Sequence, residues 1–218
     1  MTALARPPAT RPTGTPTIIT LARETSLRRV HRAGRNADSF NPTPQPSKLR
    51  GGRFDSLNGS YAYTYLGDTD AGAIAETVCR DLPFGGAARV VPAKLVQERL
   101  ITTVDVTRDL PILALHGAHL TQVRAPLDLT KCDASQYEIT REWAQRLCEW
   151  LPAIAGLAYR ARHDEDEIAW VLFQDRPPTS HPRAAGALHA RDDSTPLDSG
   201  VGLHLVKQIL HAHNATLD

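Results

Sequence analysis

Six short β-prone runs, with no regular alternation of helices between them, constrain this chain most. They are Ser26–His31 (SLRRVH), Ala62–Leu66 (AYTYL), Leu100–Val106 (LITTVDV), Ile112–Leu115 (ILAL), Gly156–Tyr159 (GLAY) and Ile168–Phe173 (IAWVLF). Each is rich in β-branched, aromatic or alternating apolar side chains; the ILAL run is also compatible with the start of a helix. Helical periodicity is found in two places. Ala71, Ile74, Ala75, Val78 and Leu82 follow a Gly67-Asp68-Thr69 turn that supplies an N-cap, and Ile139, Trp143, Leu147 and Leu151 share one side of a second helix, with Thr140 expected to cap it. A doubly wound parallel sheet needs strand and helix to alternate, so the pattern predicts an α+β fold.

The chain has 218 residues, 41% of them hydrophobic and 22% charged, which suits one domain with a substantial core and excludes wholesale disorder. That core is expected over 18–176. Residues 1–17, mostly Pro, Thr, Arg and Ala, read as a flexible arm. The Pro/Gly/Ser-rich stretch 177–200 reads as a linker or surface loop, and 201–218 as a C-terminal amphipathic helix with Val201, Leu205 and Ile209 docking on the core or a partner. Residues 33–60 form a long loop of the kind that often carries function.

A net charge of +1 is too balanced for a chain that grips nucleic acid mainly through charge. No apolar run is long enough for a membrane span, and the first twenty residues lack the apolar segment of a secretory signal. The three cysteines, Cys79, Cys132 and Cys148, are widely spaced and read as reduced thiols. The expectation is a cytoplasmic protein without nucleic-acid or membrane partners.

No HExxH, GxxxxGK[ST], GxSxG or GxGxxG occurs. What remains is a dispersed polar set: Arg29, Arg53, Tyr65 and Glu76. Glu76 is either a solvated glutamate or, beside Gly72, Ala73 and Cys79, a carboxylate that a ligand can approach closely. Tyr65 either fills the core or stacks on a flat heterocycle. Arg53, in GGRFD, is placed to clamp a phosphate where two glycines permit close backbone approach. Arg29 lies in the basic run Arg28–Arg32, which also suits a solvated strand edge.

In order, S-L-R-R-V-H-R, S-F-N-P, G-G-R-F-D, Y-T-Y-L-G-D-T and A-I-A-E, followed by Y-E-I-T-R-E-W-A and G-L-A-Y-R-A-R-H, resemble the RES domain of bacterial toxins paired with Xre-type antitoxins. The resemblance covers roughly residues 26–175. It implies a compact core similar to ADP-ribosyltransferases, with short strands in a split sheet. It also implies an enzyme that breaks the nicotinamide–ribose bond of NAD by phosphorolysis or hydrolysis. NAD is then a substrate, phosphate a candidate co-substrate, and neither a metal nor a resident cofactor is required.

On this resemblance Glu76 stabilises the ribosyl cation, Arg29 and Arg53 hold phosphate groups, and Tyr65 packs on the nicotinamide side. An Xre-type antitoxin is the implied partner, and a homo-oligomer is left open. The family's serine is replaced by Ala161 in Tyr159-Arg160-Ala161-Arg162. That departure is compatible with altered substrate handling, with lost activity, or with a neighbouring side chain taking over the hydroxyl. Transfer of ADP-ribose to a macromolecule, or a catalytically silent interaction module, are the alternatives.

Two other features are set aside. His163-Asp164-Glu165-Asp166-Glu167 reads as an acidic turn rather than a metal site. The tail from Gly200 is similar to a glycine box of histidine-kinase ATP-binding domains, but only over about fifteen residues, and it reads as a terminal helix.

Overall fold

The computed structural model describes residues 4–46, 51–83, 88–175 and 183–218. Its elements run β1 (Ile18–Leu21), β2 (Ser26–Arg32), β3 (Tyr61–Gly67), α1 (Asp70–Thr77), β4 (Val90–Val91), β5 (Arg99–Val106), β6 (Leu110–Ala114), α2 (His119–Gln122), α3 (Asp128–Lys131), α4 (Tyr137–Trp150), β7 (Gly156–Arg160), β8 (Ile168–Asp175), β9 (Leu188–Ala190), β10 (Thr195–Pro196), α5 (Gly200–Ala212) and β11 (Thr216–Leu217). The fold is α+β. All six expected runs are strands, and ILAL lies in β6 apart from its last residue.

One large sheet has the order β1-β6-β7-β8-β3-β2-β5-β10, with β9 also on β5. Its pairs are antiparallel except β6 with β7. Between β2 and β3 the ladder is reduced to one position, Arg28 opposite Gly67, so the sheet is split there. Period-2 alternation sends Tyr61, Tyr63, Val171 and Phe173 to the face covered by α4, where Trp143 and Leu147 pack. Leu27, Leu66, Ile112 and Leu172 go to the other face, under Ala37, Ala184, Ala187 and Leu188. A third cluster joins Ile74 and Val78 to Ile101, Val206 and Leu210, fixing α1 and α5 together.

Several expectations are corrected. Residues 4–17 are not a free arm. Leu4 is buried with Cys132 and Tyr137, and the Ala5 carbonyl accepts the Trp143 indole N–H at 2.8 Å, supplying the partner a buried indole needs. Of the stretch 177–200, residues 177–182 lie outside the described residues; the remainder is not a linker but adds β9 and β10 to the sheet. Ala184, Ala187, Leu188 and Leu197 make that packing possible, being small or apolar and all buried.

Thr140 does not cap its helix. It lies inside α4, because a 3₁₀ turn at Ala134–Gln136, capped by Asp133 on the Ser135 N–H, starts the helix earlier. The first helix stops at Thr77, short of Leu82. In the terminal helix Val201 is 80% exposed, and the docking stripe is instead Gly202, Val206 and Leu210, with Leu205 and Ile209 partly buried beside it. Here Gly202 serves packing: a Cβ on it would collide with the Pro196 carbonyl. Gly202→Ala should therefore destabilise the fold by about 1–3 kcal/mol through overpacking, read as a lower urea midpoint at unchanged slope.

Candidate active site

The site starts where β3 runs into α1. Gly67 permits this junction, since a Cβ there would strike the Ala73 amide nitrogen. Thr69 then caps the helix by accepting the Gly72 N–H at 3.1 Å. One turn further on, the half-buried Glu76 reaches across to the end of β7. Its Oε2 accepts the Tyr159 hydroxyl at 2.9 Å, and its Oε1 accepts the Arg162 backbone N–H at 2.7 Å. Glu76 is thus no solvated glutamate: both oxygens are fixed from more than eighty residues away, one by β7 and one by the segment just after it. Tyr159 is itself buried, with its ring edge-on to Phe54 at 5.1 Å. Burial, and then the Glu76 charge, push its phenol well above the ordinary range, so it remains a proton donor.

A second structure supports Arg53. Gly51 adopts φ +87°, and the Gly52 N–H donates to Asp55 Oδ2 at 2.7 Å. The Tyr65 hydroxyl donates to Asp55 Oδ1 at 2.8 Å and accepts the Phe54 N–H at 2.8 Å. A Cβ on Gly52 would lie 2.7 Å from that hydroxyl oxygen. Burial raises the Asp55 carboxyl, opposed by the Gly52 and Tyr65 donors. Thr140 joins the loop to α4 by donating to the Arg53 carbonyl at 2.5 Å.

The Arg53 side chain is 2% exposed. Its Nη1 donates to the Cys132 carbonyl at 3.0 Å and to Cys132 Sγ at 3.1 Å, and its guanidinium stands 5.0 Å from the centre of the Tyr137 ring. Its Nε and Nη2 have no hydrogen-bond partner among the described residues. Burial lowers the guanidinium, but Tyr137, Cys132, Glu76 and Tyr159 together hold it above its ordinary value. Arg80 and Arg141 also stand 6.0 Å from the Tyr137 ring. Lys131 Nζ donates to the Arg160 and Ala161 carbonyls at 3.2 and 2.8 Å. Glu76 thus stands among several cations, of which Arg80 is paired with Asp81 and Lys131 with Glu165. Beside it opens a cleft of about 520 Å³ lined by Leu82, Pro83, Lys131, Asp133, Ser135 and Arg162 among others, within the size range of small-molecule sites.

Glu76, Arg53 and Tyr65 are therefore brought into one region, linked through Tyr159, Tyr137 and Asp55. Arg29 is not. On β2 the alternation puts Leu27, Arg29 and His31 on one face, and Arg28 and Val30 on the other, toward α1. Arg29 Nη1 instead donates to the Ala37 and Ser39 carbonyls at 2.6 and 2.5 Å, and burial, then Arg35, lower it to about 10. Tyr65 spends its hydroxyl on the 52–55 loop. Sequence reasoning gave no role to Tyr159, Tyr137, Asp55 or Lys131. Two signals were present: odd positions of β7 alternate toward the α4 face, and Asp55 sits three residues beyond Gly52, a spacing suited to a local carboxylate turn. Ala161 is fully buried and presents only a methyl group.

Among the described residues no group of three or more His, Cys, Asp or Glu is placed to hold a metal, and no helix is long and apolar enough to cross a membrane. The family profile described as "RES domain" matches residues 26–197. A chain of the crystallised M. tuberculosis MbcT-MbcA toxin-antitoxin complex is similar in fold, with a TM-score of 0.56 at 20% identity over 87% of this chain and 91% of that one. No curated protein matches.

Next to the site, half-buried His163 is lowered to about 4 by burial, then by Arg162 and Arg89. His31 is lowered as well, again chiefly by burial. Both are held neutral in the folded state while the unfolded chain takes up protons from about pH 6.5 downward. Their contribution to stability is complete above that pH and is lost as pH falls below it, for His163 down through its folded value of about 4. Denaturation midpoints across this window should fall with pH for the parent chain, and should fall less steeply for His163→Gln.

Proposed function

The chain belongs to the RES domain family, and from that premise we propose that it cleaves the nicotinamide–ribose bond of NAD. The observation that carries this reading is a carboxylate with both oxygens fixed, beside a buried guanidinium with two unpartnered nitrogens. Breaking the glycosidic bond sends its electron pair to nicotinamide and leaves positive charge on the ribose. A preorganised carboxylate stabilises that charge more than it stabilises the substrate. The orphaned Arg53 donors and the cations around Tyr137 suit the pyrophosphate or an inorganic phosphate. Tyr65 acts mainly by holding the 52–55 loop.

Water or phosphate then bonds to the anomeric carbon, giving ADP-ribose or its 1″-phosphate. NAD is the substrate, and side chains supply the electrostatic help. The fold neighbour was crystallised in a toxin-antitoxin complex, which supports reading this chain too as a toxin whose cleft is covered by an Xre-type partner.

Incubation with NAD, with and without phosphate, tests the reading. Nicotinamide should be released, and the companion product identifies the acceptor. Glu76→Gln should lower turnover about 10²–10³-fold, as loss of one preorganised electrostatic group does. Label from tagged NAD retained on protein or nucleic acid would favour ADP-ribosyl transfer. Untouched NAD would favour the silent module that Ala161 allows.

A further inference from the structure

Glu76 stands on a short helix of eight residues whose last turn carries no basic side chain. Left to itself, the carboxylate of such a residue samples several rotamers and draws in water. Here it does not swing free, because the Tyr159 hydroxyl and the Arg162 N–H each hold one oxygen. The two donors come from one short segment and differ in kind. The Arg162 N–H belongs to a backbone anchored by Ala161, whose N–H donates to the Glu167 carbonyl at 3.0 Å and whose carbonyl accepts from Lys131. Tyr159 brings a buried phenol from the next-to-last residue of β7, opposite Ala169 of β8, with its ring fixed against Phe54.

We infer that Tyr159 is a positioning residue, whose hydroxyl sets the orientation of the Glu76 carboxylate toward the reacting ribose. The inference rests on the NAD-cleaving reading for its chemistry and on the two hydrogen bonds for its geometry. The phenol touches no substrate atom in this role. It acts through Glu76, and burial keeps its proton in place across the working pH range. An aligned carboxylate matters only where charge develops, so the effect belongs in kcat and not in KM.

The test compares Tyr159→Phe, which removes one oxygen, with the parent and Glu76→Gln. Nicotinamide release should show kcat lowered about tenfold or more, the scale of a hydrogen bond to a charged group, with KM within twofold. The double variant should be no slower than Glu76→Gln alone, since both changes disable one device. An unchanged kcat, a raised KM alone, or additive losses would overturn the inference while leaving the function intact.

A second readout needs no turnover. With ¹³C-labelled glutamate, the Glu76 carboxylate stretch is identified in the infrared by its loss in Glu76→Gln, and Tyr159→Phe should shift it. If the parent leaves NAD untouched, the functional reading falls. The band then decides alone: a shift upholds the positioning of Glu76, and a static band refutes it. Should the phenylalanine variant fail to fold, 3-fluorotyrosine at 159, a stronger donor of almost the same shape, must move the same band.

Discussion

A positive charge taken almost entirely out of water governs the layout of this molecule. Moving an ion of this kind from water into a protein interior costs several kcal/mol even after relaxation, so Arg53 is tolerable only where its surroundings return that cost. Its hydrogen bonds go to a carbonyl and a thiol, and its flat face lies over a phenol ring. The nearby negative charge, Glu76, acts through space, and no direct ion pair joins the two among the described residues. A buried guanidinium whose compensation is incomplete is poor engineering for stability alone. On the proposed NAD-cleaving reading, an anion reaching the two unpartnered nitrogens would supply the acceptors the protein leaves out.

Holding that cation still requires three separate elements. The 51–55 loop is folded on itself by Asp55 and tied to β3 through the Tyr65 hydroxyl. Helix α4 grips the loop's backbone through Thr140 and Arg141, whose Nε donates to the Gly52 carbonyl at 3.0 Å. The N-terminal segment closes over α4 through Leu4 and Ala5. Residues far apart in sequence thus share one load, and displacement of any one of them moves Arg53. The carboxylate side is built differently: α1 hangs from β3 at Gly67 and is braced by α5 on one flank and by the end of β7 on the other.

Much of this was legible in the residues and some was not, for physical reasons. Strands and helix α1 were legible because alternation, periodicity and the Thr69 cap are local signals. The α4 start was misplaced because a threonine in a helix interior looks like a cap until its hydroxyl is seen bonded to a carbonyl of another loop. The 183–200 stretch looked like a linker because its Ala, Gly and Pro content conceals what small side chains permit, close packing on a sheet face. Glu76, Arg53 and Tyr65 could be proposed as site residues, yet nothing local to Tyr65 says that its hydroxyl serves a neighbouring loop. Arg28 and Arg29 are adjacent and identical in type. Only the phase of the strand, fixed by Leu27 and Val30 on opposite faces, separates the arginine that meets Asp70 from the one that holds Ala37 and Ser39.

The same strand logic bears on the alanine at 161. Its side chain is fully enclosed, so a hydroxyl there would need a partner inside a closed space or remain unsatisfied at a cost of about 1–3 kcal/mol. Its backbone is already committed on both sides, to Glu167 and to Lys131, and that commitment does not depend on what the side chain is. The N–H that follows, Arg162, therefore reaches Glu76 whether residue 161 is serine or alanine. What alanine removes is one hydroxyl, and a hydroxyl reaches Glu76 from two residues upstream, on Tyr159. With alanine at 161 the Glu76 carboxylate keeps a donor on each oxygen, the Tyr159 hydroxyl on one and the Arg162 backbone N–H on the other.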